Sequence, residues 1–205
     1  MDTWMKKLNK EFWEHRYEQG DIGWDIGYIS TPLKEYIDQL KDKELKILVP
    51  GAGNAYELIY LVENGFSNVF VIDIARQPLE NIKRKMPDFP EDRLLEGDFF
   101  DLNPNNFDLI LEQTFFCALD PSLRSVYVEK MKQLLKPHGK LAGLLFNFPL
   151  TESGPPFGGS LTEYKFLFQE HFKIKTLEIA HNSIKPRADK ELFFIFDPMS
   201  KYSIK

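Results

Sequence analysis

The chain of 205 residues is 43% hydrophobic and 14% aromatic, and at about 150 residues per domain it reads as one domain over 1–205 rather than two. A formal net charge of -5 lies outside the regime of disordered chains and lacks the basic footprint of a protein that neutralises many phosphates, so a small molecule is the expected partner and nucleic acid is not. The single cysteine, Cys117, excludes an internal disulfide framework, and with no apolar signal core and no stretch near the roughly twenty residues of a membrane span, a cytoplasmic chain without membrane segments is expected.

Residues 1–40 carry an aromatic cluster of Phe12, Trp13, Tyr17 and Trp24. Trp13 and Tyr17, four residues apart, share a helical face, and Trp24 follows a Gly-Asp-Ile-Gly turn. The cluster is either a core face or an aromatic lid that excludes water from a ligand. Pro32, Pro78 and Pro121 each suit the first turn of a helix. Beyond residue 40, short apolar runs alternate with amphipathic segments, the pattern of parallel strands joined by helical crossovers, so the class is α/β. Strands are expected at Leu45–Pro50, Val69–Ile74, Arg93–Gly97, Phe107–Glu112, Lys140–Phe146, Phe172–Ile179 and Glu191–Asp197. The runs VFVIDI and LAGLLF are apolar on both faces, as central strands are, whereas Phe172–Leu177 alternates like an edge, which puts sheet edges late in the chain. Between them, the helix opening at Pro121 presents Leu123, Val126, Tyr127, Met131, Leu134 and Leu135 on one face, and Pro137-His138-Gly139 turns into the next strand. Residues 41–150 would form a ligand-binding core, and 151–205 a loop rich in glycine and proline followed by the last strands.

The most informative segment is LKILVPGAGNAYELIYLVENG, a buried strand entering Gly51-Ala52-Gly53 and then a helix. Glycine lets the backbone turn tightly and approach a ligand, and a helix N-terminus adds unpaired N–H donors. A strand-to-helix turn has the same form, so the reading needs the acids downstream. Asp73 ends the next strand 22 residues after Gly51, where a carboxylate accepts from both ribose hydroxyls of an adenosine, or merely caps the following helix. Asp98 ends the third strand on the same edge, where it could accept from an adenine amino group while Phe99 packs on the ring. A dinucleotide would use a third glycine in the loop, and Tyr56 stands there, which tells against NAD. The four histidines lack metal-ligand spacing, Cys117 sits in an apolar context, and no hydrolytic motif is present, so neither a metal nor a catalytic residue is assigned.

These residues resemble the thiopurine S-methyltransferase family, which includes plant halide and thiol methyltransferases. The resemblance is carried by Phe12-Trp13-Glu14, Gly23-Trp24-Asp25, Leu48 to Gly53, Asp73-Ile74, Gly97 to Phe100, Phe107 to Ile110, Thr114 to Leu119, Leu134 to Pro137, Gly154 to Phe157, and Ser183-Ile184 with Arg187. It implies a Rossmann-like class I methyltransferase, with a seven-stranded, mostly parallel sheet whose last strand is antiparallel and helices on both faces. It further implies S-adenosyl-L-methionine held by Trp13, Tyr17, Trp24, Gly51, Asp73, Asp98, Phe99 and Gln113, with Gly53 in the same loop. Tyr17 and Ala52 stand where many relatives have Trp and Cys. Gln113 stands where the plant branch usually has an aromatic and the thiopurine branch an Arg.

The expected reaction is in-line displacement at the methyl carbon by a thiolate, thiopurine sulfur, thiocyanate or halide. Such nucleophiles are wholly or partly anionic near pH 7, so alignment and desolvation matter more than proton transfer. Phe116, Phe146 and Phe157 are candidates for the apolar acceptor pocket, and Arg187 for an anion contact, with core packing or an ion pair as the alternative for each. The family pattern leans towards a monomer. The rival readings are a fold that binds the cofactor without turnover and a nicotinamide-dependent oxidoreductase.

Overall fold

A computed structural model describes residues 8–199; the outermost parts of the expected domain, 1–7 and 200–205, lie outside the described residues. Its centre is a seven-stranded sheet: β1 (Ile47–Pro50), β2 (Val69–Asp73), β3 (Leu94–Glu96), β4 (Phe107–Gln113), β5 (Leu135–Phe146), β6 (Phe172–Ile179) and β7 (Glu191–Pro198). The spatial order is β3-β2-β1-β4-β5-β7-β6. Strands β1 to β5 pair in parallel, and β7 runs antiparallel to both β5 and β6. The last strand is therefore the reversed one, as the family pattern implies.

The apolar runs fill two cores because successive strand residues point to opposite faces. Ile47 and Val49 of β1 and Leu109 and Leu111 of β4 enter one core, where α2 (Thr31–Asp38), α3 (Tyr56–Glu63) and α4 (Arg76–Lys85) contribute Leu33, Ile37, Leu58, Leu61, Leu79 and Ile82. Leu48 and Ile110 enter the other, with Tyr127, Val128 and Met131 of α5 (Arg124–Leu134), Phe168 of α6 (Leu161–Phe168), and Phe194 and Phe196 of β7. The basic run Lys83-Arg84-Lys85 closes α4, where the negative end of the helix dipole favours cations.

Three expectations change. A 3-10 turn at Pro121–Leu123 precedes α5, and the helix buries residues 124, 127, 128, 131 and 134 at three- and four-residue spacing. Val126 is thus 47% exposed, and Val128 takes its expected core position. Strand β5 begins at Leu135 rather than Lys140; pairing shifts from Phe107↔Leu135 to Leu109↔Lys140, so Pro137-His138-Gly139 bulges within the strand rather than preceding it. The late strand β6 is one edge, but the opposite edge is the three-residue β3 from the middle of the chain.

One detail of pairing opens the site. Pairing of β1 with β2 continues through Pro50, whereas pairing with β4 is recorded only at Ile47 and Leu48. Pro50 has no N–H to offer a neighbour, and the chain order reverses between β1 and β4. A crevice at the carboxyl ends of strands on either side of such a switch point is where open α/β sheets take ligands.

Candidate active site

A cavity of about 810 Å³ opens there, within the range of pockets that enclose small-molecule ligands. On its floor Gly51 has φ +77°, and a Cβ added to it would lie 3.0 Å from Phe115 Cδ2. Both conformation and space restrict the position to glycine. The loop is tied to the second strand through Asp73, whose Oδ2 accepts from the Ala52 amide at 2.8 Å and whose Oδ1 accepts from the Ala75 amide at 2.8 Å. Asp73 therefore caps and binds the loop, with the Gly53 and Ile74 amides also turned towards its carboxyl. Burial pushes its carboxyl up to about 6, opposed by these backbone donors. Asp98 is exposed at the neighbouring strand end, where its Oδ1 accepts from the Phe100 amide at 2.8 Å.

The N-terminal aromatics form the roof. Helix α1 (Lys10–Glu18) starts at Asn9, whose side chain accepts from the Phe12 amide. It brings Trp13 and Tyr17 onto Trp24 edge to face, with ring centroids 5.7 and 5.5 Å apart. The Trp24 indole nitrogen lies 3.9 Å from the position of a Cβ on Gly53. Four polar ties hold this roof down. Lys10 Nζ donates to Glu96 at 2.6 Å, the Asn54 side-chain amide and the Tyr56 hydroxyl donate to Asp25, and Arg187 Nη2 donates to the Trp24 carbonyl at 2.7 Å. Tyr56, weighed in sequence only against a dinucleotide, thus serves as a roof anchor.

The far end of the cavity is apolar. Phe146 and Phe148 pack with tilted rings, centroids 5.1 Å apart, and Leu119, Leu123, Pro155 and Pro156 line the same cavity. Arg187 stands over the Phe146 ring at 5.5 Å and donates from Nη1 to Glu191 at 3.1 Å. Lys190 also lines this end. Gln113 lines the cavity from the end of β4, accepting from the Ser30 hydroxyl at 3.4 Å. Thr114 follows with φ +57°, a rare conformation for a β-branched residue that costs of order 1–3 kcal/mol and persists where the surroundings enforce it. Burial raises the Tyr17 phenol and the Cys117 thiol well above their usual ranges, so both are neutral at pH 7.

Of the sequence-predicted residues, Trp13, Tyr17, Trp24, Gly51, Gly53, Asp73, Asp98, Phe99, Gln113, Phe146 and Arg187 line this one cavity. Phe116 and Phe157 do not. Phe116 is 1% exposed and packs in the core against Tyr127 and Tyr164. Phe157 is buried with its ring over Gly154 and its amide donating to the Cys117 carbonyl. The aromatic ring that reaches the cavity from the Phe-Phe pair is Phe115.

The sequence profile of the thiopurine S-methyltransferase family matches residues 8–197. The chain belongs to the thiopurine S-methyltransferase family. It is 30% identical to probable thiol methyltransferase 2 of Arabidopsis thaliana over 87% of this chain and 81% of that protein. It is 31% identical to thiocyanate methyltransferase 1 of Brassica oleracea over the same shares. Among solved structures, 1,6-didemethyltoxoflavin-N1-methyltransferase of Burkholderia thailandensis, with S-adenosylhomocysteine bound, superposes with a TM-score of 0.78 at 18% identity, covering 96% of this chain and 89% of that one. That likeness fixes the fold as the class I methyltransferase fold. Membership of the thiopurine S-methyltransferase family makes the chain an S-adenosylmethionine-dependent methyltransferase. Among the described residues, no helix is long and apolar enough to cross a membrane.

Proposed function

We propose that this methyltransferase works as a single cytoplasmic, monomeric domain that methylates a small soft nucleophile: a thiolate, thiopurine sulfur, thiocyanate or halide. What carries the reading is that the glycine loop with its two acids and the apolar Phe146–Phe148 pair line one cavity, together with Gln113 and Thr114. The donor end fits S-adenosylmethionine: the left-handed Gly51 keeps the loop backbone close to the cavity, and Asp73 and Asp98 line it from adjacent strand ends. When bound, S-adenosylmethionine supplies an electrophilic methyl carbon on a sulfonium leaving group. Asp73 would take the ribose hydroxyls, and Asp98 with Phe99 the adenine. Trp13, Tyr17 and Trp24 would exclude water and offer ring faces to the cation.

At the other end, Phe146 would desolvate the acceptor, Arg187 would favour an anion, and Gln113 would meet its nucleophilic atom. Tyr17 and Cys117 line the cavity but are held protonated, so neither is the base for an acceptor proton. The acceptor arrives as its own anion. An acidic chain with one buried, reduced cysteine suits the cytoplasm.

The test is thermal unfolding with S-adenosylhomocysteine and, separately, NADH. At 100 times its dissociation constant a ligand adds about 2.7 kcal/mol, or roughly 5–10 °C here. A shift with S-adenosylhomocysteine alone, followed by turnover of at least one thiol, thiopurine, thiocyanate or halide acceptor, is the expected result. No shift, a shift with NADH, or binding without turnover of any of these acceptors overturns it.

A further inference from the structure

A fully buried acid lies behind the acceptor wall and outside the cavity lining. Glu112, the penultimate residue of β4, is 0% exposed. Its room comes from the neighbouring strand, since a Cβ on Gly143 would lie 2.5 Å from the Glu112 Cβ and 2.2 Å from its carbonyl oxygen. The Gly in LAGLLF thus lets β5 pass close beside the Glu112 backbone. Oε1 accepts from the Phe115 and Phe116 amides, each at 2.8 Å, and Oε2 accepts from the Tyr127 hydroxyl at 2.6 Å. Tyr127 is itself 0% exposed on α5. A buried acid with three donors is a fixed point of the structure.

What it fixes is the turn that separates donor from acceptor. The two amides lie directly after Thr114, whose left-handed backbone reverses the chain. The carboxylate captures them as the 3-10 turn Phe116–Ala118 begins. Phe115, so held, lies against Gly51 on the donor side and meets Phe99 edge to face with centroids 5.2 Å apart. Thr114, Cys117 and Ala118 of the same turn face the cavity. Displacement of this turn would move both walls relative to the line of attack.

We propose that Glu112, braced by Tyr127, is a positioning residue for methyl transfer, holding the Gln113–Ala118 turn so that acceptor and methyl group align. The inference rests on the methyltransferase reading above. Because misplacement by about 1 Å costs on the order of a hundredfold in rate, loss of the brace falls mainly on kcat. Three variants separate positioning from general support. Tyr127→Phe removes one hydroxyl, Glu112→Ala removes the acceptor, and Glu112→Gln restores its reach, with an amide that can donate to the Tyr127 oxygen.

Each is assayed at least 15 °C below its own unfolding midpoint, together with S-adenosylhomocysteine affinity and amide hydrogen exchange at Phe115 and Phe116. Expected are a kcat lowered about tenfold or more in Glu112→Ala and about threefold or more in Tyr127→Phe. Acceptor KM and S-adenosylhomocysteine affinity should stay within about threefold, the two amides should exchange at least about tenfold faster in Glu112→Ala, and Glu112→Gln should recover most of the rate. Should Glu112→Ala fail to fold, the Tyr127→Phe and Glu112→Gln results decide alone. Wild-type kcat and exchange in Tyr127→Phe, or losses shared equally by kcat, KM and cofactor affinity, overturn the positioning role while the enzyme remains a methyltransferase. A wild-type chain that neither binds S-adenosylhomocysteine nor turns over any acceptor overturns the functional reading and this inference with it.

Discussion

At the scale of single residues, Asp73 carries two demands that pull in opposite directions with pH. Burial raises its carboxyl to about 6, so the empty folded protein holds this proton more tightly than the unfolded chain does. Its contribution to stability is present in full below its unfolded value near 4 and is lost as pH rises through about 6. The ribose hydroxyls, however, need an acceptor, which the charged form supplies. Acidification from pH 7.5 to 5 should therefore stabilise the empty protein through this group while the extra stabilisation by S-adenosylhomocysteine shrinks. Unfolding midpoints with and without ligand across that range check both slopes. Asp73→Asn should flatten them and weaken S-adenosylhomocysteine binding by about tenfold or more, the worth of a hydrogen bond to a charged group. A wild-type ligand increment that is flat with pH would remove Asp73 from the cofactor site. Gly51 makes a simpler case. Gly51→Ala forces a left-handed alanine against the Phe115 ring and should cost about 1–2 kcal/mol from the backbone alone, read as a lower urea midpoint.

Between elements, the roof is joined to the sheet by Arg187, whose guanidinium spans Glu191 at the start of β7 and the Trp24 carbonyl. Glu191 is 2% exposed and also accepts from the Ser183 hydroxyl at 2.7 Å, so the cation is oriented from behind. Arg187→Ala unpairs a buried carboxylate and frees Trp24. It should weaken S-adenosylhomocysteine binding about tenfold with no acceptor present, measured by calorimetry and by tryptophan fluorescence. If affinity is unchanged and only the KM of anionic acceptors rises, Arg187 is an anion contact and not a roof tie. The central strands were legible because strands buried on both faces write continuous apolar runs, and Asp73 and Asp98 were legible because strand ends share one edge. Phe116 was assigned to the pocket where Phe115 lines it, since consecutive residues of a turn point apart and the capture of their amides by Glu112, which the sequence does not show, orients the pair. Val126 was misassigned because the 3-10 turn at Pro121–Leu123 resets the helical phase, and Tyr56 was passed over because its partner, Asp25, is distant in sequence.

For the molecule as a whole, the shape of the cavity ranks the acceptors. Its 810 Å³ includes, beyond Gln113, a chamber walled by Phe146, Phe148, Leu119, Leu123, Pro155 and Pro156, and this wall extends to the exposed Val126 at the rim. A halide or thiocyanate ion would leave that chamber to water and gain nothing from its apolar surface. A thiolate with a hydrocarbon body would fill it, and each buried methylene is worth about 0.8 kcal/mol, or about fourfold in kcat/KM. Along a series of straight-chain thiols, kcat/KM should rise by about that factor per carbon until the chamber is full, and arenethiols should exceed iodide and thiocyanate by more than an order of magnitude. Phe148→Ala removes a wall from this chamber but none of the residues assigned to the donor end, so it should reduce the slope of the thiol series while leaving S-adenosylhomocysteine affinity unchanged. A flat series with the inorganic ions as the best acceptors would mean that the chamber is closed to the acceptor and that selectivity is set at Gln113 and the two cations, Arg187 and Lys190.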